Sequence, residues 1–165
     1  MLFRSPETVN LTGDGNPDTA VWAYDGTVPG PELRVRQGEP VRITVSNKLS
    51  EDTTVHWHGI RLPNAMDGVP GLTQKPIRPG ESFVYEFTPP DAGTFWYHPH
   101  ADTLQQLGRG LAGALIVQEP ERAAVDRDLL GSSRIGVSMR KAGSLPVSAT
   151  AWKPGCPAGS AIPLL

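Results

Sequence analysis

The stretch PVRITVSN, residues 40–47, alternates apolar and polar side chains with a period of two. Val41, Ile43 and Val45 fall on one face of an extended strand, and the polar residues between them fall on the other. The stretch ESFVYEFT, residues 81–88, repeats the pattern with three aromatic side chains on the core face: Phe83, Tyr85 and Phe87. Both stretches therefore predict half-buried β-strands.

Four further segments have the β-branched and aromatic composition of strands: TAVWAY (19–24), ELRVR (32–36), GTFWYH (93–98) and GLAGALIVQ (110–118). Turn sequences rich in Gly, Pro and Asp separate them, among them DGTVPGP, RQGEP, LPNAMDGVPG, RPGE and PPDAG. With the histidine-containing stretch VHWHGI, about seven short strands between residues 19 and 118 predict an all-β fold, an antiparallel sandwich or barrel. The segment ADTLQQLG (101–108) predicts one helical turn.

The chain has 165 residues, enough for one ordinary domain or one domain and a tail. A formal net charge of −2 does not indicate the excess of basic residues that would bind nucleic acid or an anionic membrane surface. No apolar run approaches the roughly 20 residues that span a bilayer. The N-terminal sequence MLFRSPETVN lacks the apolar stretch of a secretory signal, and the single cysteine, Cys156, cannot form an internal disulfide.

The composition changes after Leu130. Residues 131–165 contain Arg134, Arg140, Lys141 and Lys153 but no acidic residue, so residues 1–130 carry 11 − 17 = −6. The segment has no clear periodicity, and we predict a disordered tail, with residues 121–130 as a linker or short helix. A shift in reading frame after the Leu130 codon is one hypothesis for this tail, and the gene sequence would test it.

All four histidines of the chain lie in two His-x-His pairs, VHWHGI and FWYHPHAD. Residues i and i+2 of a strand share a face, so His56 and His58 project together, as His98 and His100 do if that strand continues through Pro99. Val55 and Trp57 then face the opposite side and pack. Four imidazoles around one small volume could bind zinc, copper, iron or nickel, and could straddle two metals.

Alternative roles for these histidines fit the sequence less well. A hydrogen-bonded core histidine is a common alternative for one pair, but two pairs that use every histidine disfavour it. A metallo-β-lactamase-like site would need Asp where the chain has Ile60, and a cupin would need a glutamate soon after the first pair. No GxSxG-type elbow suggests a catalytic triad.

Taken in order, the motifs resemble the N-terminal domain of the multicopper oxidases, the family of laccases and copper-resistance oxidases. VPGPELRVRQGEPVRITVSN, HWHG, LPNAMDGVPGLTQ, FWYHPHAD and GRGLAGALIV follow one another as in that domain. The resemblance covers about residues 20–120. It implies a cupredoxin-like Greek-key β-sandwich or barrel in residues 1–120, followed by the linker and an irregular C-terminal tail. Pro99 stands where many relatives have serine.

The resemblance also implies a ligand set. In the family, two cupredoxin domains enclose a trinuclear copper cluster that reduces dioxygen to water. By motif position, His56 would bind the type 2 copper, His58 and His98 would share one type 3 copper, and His100 would bind the other. Asp67, in AMDGVPG, resembles the acid that relays protons to the type 2 side, although a turn-forming Asp-Gly is an equal alternative. Trp57 and Trp96 would pack around the ligands.

The rest of the family's machinery has no counterpart in this sequence. The other four cluster ligands and the type 1 site belong to a C-terminal domain, and Cys156 has no histidine after it. We therefore expect half of a copper site, inactive alone, whose partners are missing cupredoxin domains or a second subunit. The alternatives are a non-enzymatic copper-binding module and an oxidase completed in trans. Relatives are usually periplasmic or secreted, and this sequence leaves the compartment and the reducing substrate open.

Overall fold

The computed structural model describes residues 2–11, 15, 18–121 and 128–131. The strands in this part of the chain are β1 (Leu2–Val9), β2 (Thr19–Tyr24), β3 (Gly30–Arg36), β4 (Val41–Asn47), β5 (His56–His58), β6 (Ser82–Phe87), β7 (Gly93–His98) and β8 (Gly113–Gln118). One short helix, α1, spans Thr103–Gly108 where ADTLQQLG predicted a helical turn. A 3-10 turn spans Asn64–Met66.

The strands form two four-stranded sheets, in the orders β2-β1-β4-β6 and β3-β8-β7-β5. The predicted all-β sandwich is therefore confirmed. Each sheet also contains one parallel pair, β1 with β4 and β3 with β8, whereas the sequence predicted antiparallel pairing. Side-chain periodicity reports which face of a strand is buried but does not report the direction of its neighbour, so these parallel pairs were not predicted.

The core lies between the sheets and draws on both. Ile43 and Val45 of β4 and Tyr85 and Phe87 of β6 are buried, as their alternation predicted, and Phe83 packs against them partly buried. The other sheet contributes buried side chains from β5, β7 and β8: Trp57, Tyr97, Leu115 and Val117. Apolar side chains at every second position of the facing strands thus pack together into one hydrophobic core between the sheets.

Strand β1 is the element that sequence patterning missed. It contains Pro6, which cannot donate a ladder hydrogen bond and argues against a strand in a sequence. The structure accommodates this proline because β1 pairs with β4 only through Leu2–Arg4, whereas Pro6 lies opposite Trp22 of β2. The proline therefore lies beyond the doubly paired part of β1.

Two predictions concern residues 121–165, of which the structure describes 121 and 128–131. Residues 122–127 of the predicted linker lie outside the described residues, and so does the predicted tail apart from residue 131. Among the residues that are described, no helix has the length and apolar character needed to cross a bilayer.

Strand β5 has only three residues and lies at the edge of its sheet, so its position depends on its neighbours. The Trp57 side chain is fully buried, with ring centroids 5.4 Å from Tyr85 and Phe87 and 5.8 Å from Tyr97. The backbone N–H of Val55 donates to the hydroxyl of Tyr85 at 2.9 Å. An aromatic anchor and one buried hydrogen bond thus attach β5 to the opposite sheet.

We predict that Tyr85→Phe destabilises the protein by about 1–3 kcal/mol, because it leaves the buried N–H of Val55 without its acceptor. Urea unfolding measures the difference. Ser82→Ala is the control, since it removes an exposed hydroxyl that bonds Ser46 and should cost less than about 0.5 kcal/mol. Equal stability of Tyr85→Phe and the wild type would show that this bond does not hold β5.

Candidate metal centre

Antiparallel pairing of β5 with β7 brings the two His-x-His pairs together. His56 lies directly opposite His98 in the ladder, and His58 lies opposite Trp96. The members of each pair share a face, with ring centroids 5.6 Å apart in the first and 5.5 Å apart in the second. The second pair keeps this arrangement although β7 ends at His98, so His100 lies just beyond the ladder.

Three of the histidines converge on one point. Ligand nitrogens of His56, His98 and His100 all lie within 4.8 Å of one another. His98 is buried, with 5% of its surface exposed, and the other two are half-buried. Metal–imidazole bonds are roughly 2.0–2.1 Å long, so nitrogens this close could bind one ion after small adjustments, or neighbouring ions about 3.5–4 Å apart.

Hydrogen bonds to backbone carbonyls orient two of these rings. His56 Nδ1 lies 2.8 Å from the carbonyl oxygen of Asp67, and His98 Nδ1 lies 2.9 Å from that of Pro99. A carbonyl only accepts, so each Nδ1 carries the proton and donates it. The lone pair of each neutral ring is therefore on Nε2, which is the arrangement typical of metal-binding histidines.

His58 lies outside the three-histidine group but touches it. Its Nδ1 is 3.3 Å from Nε2 of His98, and its ring is exposed. Because Nε2 of His98 has the lone pair, Nδ1 of His58 is the donor in this contact. Trp96 packs beside both rings, with centroids 4.7 Å from His58 and 4.1 Å from His98. Trp96 thus lies against the rings of His58 and His98, while Trp57 packs in the core.

The electrostatics of the group favour neutral imidazoles. Burial, reinforced by the neighbouring histidines, lowers the pKa of His98 to about 4, while the bond to the carbonyl of Pro99 opposes the shift. The pKa of His100 is also lowered, first by burial and then by His56. Neutral imidazole is the form that binds a metal, so at neutral pH these rings are ready to act as ligands.

Asp67 lies beside the first histidine pair. Its carboxylate Oδ1 is 3.4 Å from Nδ1 of His56, the ring nitrogen that carries the proton. Asp67 also ends the 3-10 turn, where its N–H donates to the carbonyl of Asn64 at 3.1 Å. The turn that the sequence suggested therefore occurs at this residue, and its carboxylate lies beside His56; the role of Asp67 as a proton relay stays a prediction.

Gly68 allows this loop to approach β5. Its φ is +79°, and a Cβ atom there would lie 1.8 Å from the carbonyl oxygen of Val55. Only glycine permits both the left-handed conformation and the close backbone contact. The contact between Asp67 and His56 therefore depends on the residue that follows Asp67.

We predict that Gly68→Ala displaces the loop and breaks the contact between Asp67 and His56. Gly71→Ala is the matched control, because its φ is +77° but a Cβ there meets nothing within 4 Å. Both variants incur about 1–2 kcal/mol of backbone strain, and Gly68→Ala should lose roughly 1–3 kcal/mol more through overpacking. Urea unfolding and the NMR signals of the His56 ring measure the two effects. Identical behaviour of the two variants would contradict the close approach.

The low pKa of His98 predicts acid sensitivity of the metal-free protein. The unfolded His98 takes up a proton near its ordinary value of 6.5, whereas the folded ring resists protonation until about pH 4. Stability is therefore full above pH 6.5 and declines as the pH falls toward 4. The loss attributable to His98 should be about 1–2 kcal/mol, less than the full shift implies because the group is partly solvated.

Melting curves of the wild type and His98→Gln between pH 7 and pH 4 measure this effect. The variant keeps a polar side chain but cannot titrate, so its stability should fall less steeply with acid. Parallel curves for the two proteins would rule out His98 as the source.

Sequence reasoning missed Thr54 and Gln106, which are fully buried polar residues in the segments that flank the histidine pairs. The hydroxyl of Thr54 accepts a hydrogen bond from the N–H of His100 at 3.3 Å. The only sequence signal was the presence of polar residues in TTVHWH and LQQLG, next to the two motifs. Thr and Gln are not among the usual ligands of zinc or copper, so a search for ligands passes over them.

The donor set fits copper. Imidazole nitrogen suits zinc, copper, iron and nickel, and copper binds such sites tightest in the divalent series. On this face of the β3-β8-β7-β5 sheet, the described group that could hold a metal consists of imidazole nitrogens, and the Asp67 carboxylate lies beside Nδ1 of His56. The geometry alone therefore supports a transition-metal site.

Comparison with known proteins indicates which metal such a site would bind. Residues 6–122 match the family model described as multicopper oxidase. Copper resistance protein A of Escherichia coli is 43% identical over 122 residues, covering 73% of this chain and 19% of that protein. Laccase-1 of Botryotinia fuckeliana is 47% identical over 109 residues, covering 64% of this chain and 19% of that protein.

Solved structures agree with these relatives. The multi-copper oxidase from Pseudomonas thermotolerans superposes with a TM-score of 0.72 at 51% identity, covering 76% of this chain and 30% of that one. This similarity confirms the cupredoxin-like fold. The chain spans about a fifth of the length of the curated relatives quoted above. With the family model matching more than half of the chain, the protein belongs to the multicopper oxidase family.

Proposed function

We propose that this chain is a copper-binding N-terminal domain, residues 1–120, that supplies half of a trinuclear copper site. The observation that carries the proposal is the proximity of the histidines: ligand nitrogens of His56, His98 and His100 lie within 4.8 Å of one another, and Nδ1 of His58 lies 3.3 Å from Nε2 of His98. In this assignment His56 binds the type 2 copper, His58 and His98 share one type 3 copper, and His100 binds the other. When bound, the copper ions would supply the electron transfer that reduces dioxygen to water, coupled to one-electron oxidation of a substrate.

The contact between His58 and His98 supports their sharing of one ion. Two nitrogens bound to one metal at roughly 2.05 Å, with a near-tetrahedral angle, lie about 3.3 Å apart. His58 Nδ1 and His98 Nε2 are separated by that distance, 3.3 Å. Since Nδ1 of His58 is the donor in this contact, its proton must move to Nε2 or leave when an ion takes its place.

The position of Asp67 supports a role in proton transfer on the side of His56. A carboxylate 3.4 Å from a ring nitrogen, with 35% of its side chain exposed, contacts both the ligand and solvent. Such a group can take a proton from water and hold it next to the site. We assign Asp67 as the proton relay of the assembled oxidase.

Exposure of the site supports completion by other domains or a second subunit. His58 is exposed, and His56 and His100 are half-buried, so the ligand face opens outward. The matched region covers only 19% of the Escherichia coli relative, which leaves room there for the remaining ligands and the electron entry site. Alone, the chain should bind copper without oxidising a substrate. A non-enzymatic copper-binding module is the second candidate, because three histidines suffice to hold one ion.

Copper titration of the full 165-residue chain tests the proposal. We expect binding of Cu²⁺, no intense blue absorption and no oxidation of a phenolic dye. His98→Ala should weaken copper binding by at least about 100-fold, since it removes a ligand rather than a supporting contact. His58→Ala should also weaken binding, because His58 shares an ion with His98 in this assignment. Thr44→Val, on the outer face of β4 in the other sheet, is the control and should leave the affinity unchanged.

Two results would contradict this function. Unchanged affinity in His98→Ala would mean that copper binds elsewhere. Turnover of the dye by the isolated chain, with blue absorption, would overturn the prediction of inactivity.

A further inference from the structure

The ladder between β5 and β7 positions His56, His58 and His98, but it does not position His100. β7 ends at His98, and the next residue, Pro99, has no N–H to donate. His100 nevertheless lies close to the other ligands, with its ring centroid 4.6 Å from that of His56. Some other contact must therefore hold it there.

Two hydroxyl groups hold the peptide unit that joins Pro99 to His100. The N–H of His100 donates to Oγ1 of Thr54 at 3.3 Å, and Thr54 is fully buried two residues before His56. The hydroxyl of Thr103 donates to the carbonyl of Pro99 at 3.2 Å, the same carbonyl that accepts from His98 Nδ1. The backbone of His100 is thus attached directly to the segment that leads into β5.

Helix α1, which follows His100, is attached to the same segment. The amide of Gln106 is fully buried, where its Oε1 accepts from the hydroxyl of Thr53 at 2.7 Å and its Nε2 donates to the carbonyl of Asp52 at 2.8 Å. Gln105 adds a bond from Nε2 to Oε2 of Glu51 at 2.9 Å. Residues 51–54 therefore bond both to His100 and to the helix that begins three residues later.

The hydrogen bonds of residues 51–54 are well suited to hold His100 and helix α1 in one position. A helix of six residues is too short to be stable alone, so its position comes from its tertiary contacts. A buried amide is strongly destabilised when a hydrogen-bond partner is removed, which makes the paired arrangement strongly preferred. We call the set Asp52, Thr53, Thr54 and Gln106 the polar clamp.

We infer that the polar clamp positions the second ligand pair against the first, with Thr54 and Gln106 as positioning residues that set the place of His100. The inference rests on the proposed copper site and deepens it. Neither residue would touch copper. Both act through the backbone around His100, and loss of the clamp should leave His100 free to move away from His56 while the β5–β7 ladder stays intact.

Thr54→Val tests the inference, because it removes the hydroxyl at nearly constant volume. In the full-length chain we expect about 10-fold weaker Cu²⁺ binding and a changed electron paramagnetic resonance spectrum of the bound ion, as for other supporting residues of metal sites. Thr54→Ser retains the hydroxyl and should restore both. Thr44→Val, on the outer face of β4, makes the same chemical change away from the site and should leave both unchanged.

A second readout requires no metal. In the metal-free chain, Thr54→Val should shift the imidazole NMR signals of His100 and speed hydrogen exchange of its amide, whereas Thr44→Val should not. Gln106→Leu should produce the same shifts in a more destabilised protein. Unchanged His100 signals and copper affinity in Thr54→Val would overturn the inference. Failure of the wild type to bind Cu²⁺ would refute the proposed function instead, and the NMR comparison would still decide whether the clamp positions His100.

Discussion

The site depends on the pairing of β5 with β7. Three residues of β5 place His56 opposite His98, so the register of one short edge strand determines whether the ligands meet. A slip of one residue would turn every side chain of β5 to the other face. Trp57 resists that slip because its fully buried ring packs against aromatic residues of both sheets. The residue between the two histidines is therefore what keeps them facing outward.

Burial of the site has an electrostatic consequence. Several imidazoles in a partly desolvated space cannot all be protonated, because burial and mutual repulsion both oppose the charge. The low pKa of His98 is the clearest result of this arrangement. Carbonyl groups of Asp67 and Pro99 then direct the Nδ1 protons, which leaves the lone pairs of His56 and His98 on Nε2. The fold thus prepares its histidines for a cation before any cation is bound.

The same site is open on one side, which agrees with the size of the relatives. The ligand face is half-exposed, and the chain spans about a fifth of the length of the curated proteins that it matches. A site enclosed within one domain would bury its ligands on all sides. The arrangement here fits a surface that a further domain or subunit covers, and the copper chemistry that we propose belongs to that assembly.

Much of this protein was predictable from local patterns. The alternation in PVRITVSN and ESFVYEFT located two strands and their buried faces, and the two His-x-His pairs identified the candidate ligands. These signals are local, because the period of a strand and the spacing of a motif are properties of consecutive residues. Strand β1 escaped prediction because Pro6 masks its pattern.

Tertiary structure alone decided how those pieces meet. The parallel pairs β1–β4 and β3–β8 follow from how the chain crosses between sheets, which no periodicity encodes. The burial of Gln106 and its bonds to Asp52 and Thr53 join residues more than 50 positions apart. The sequence by itself determined which residues could bind a metal. Only long-range packing and hydrogen bonding decided that three of the four histidines converge while His58 stays at the exposed edge.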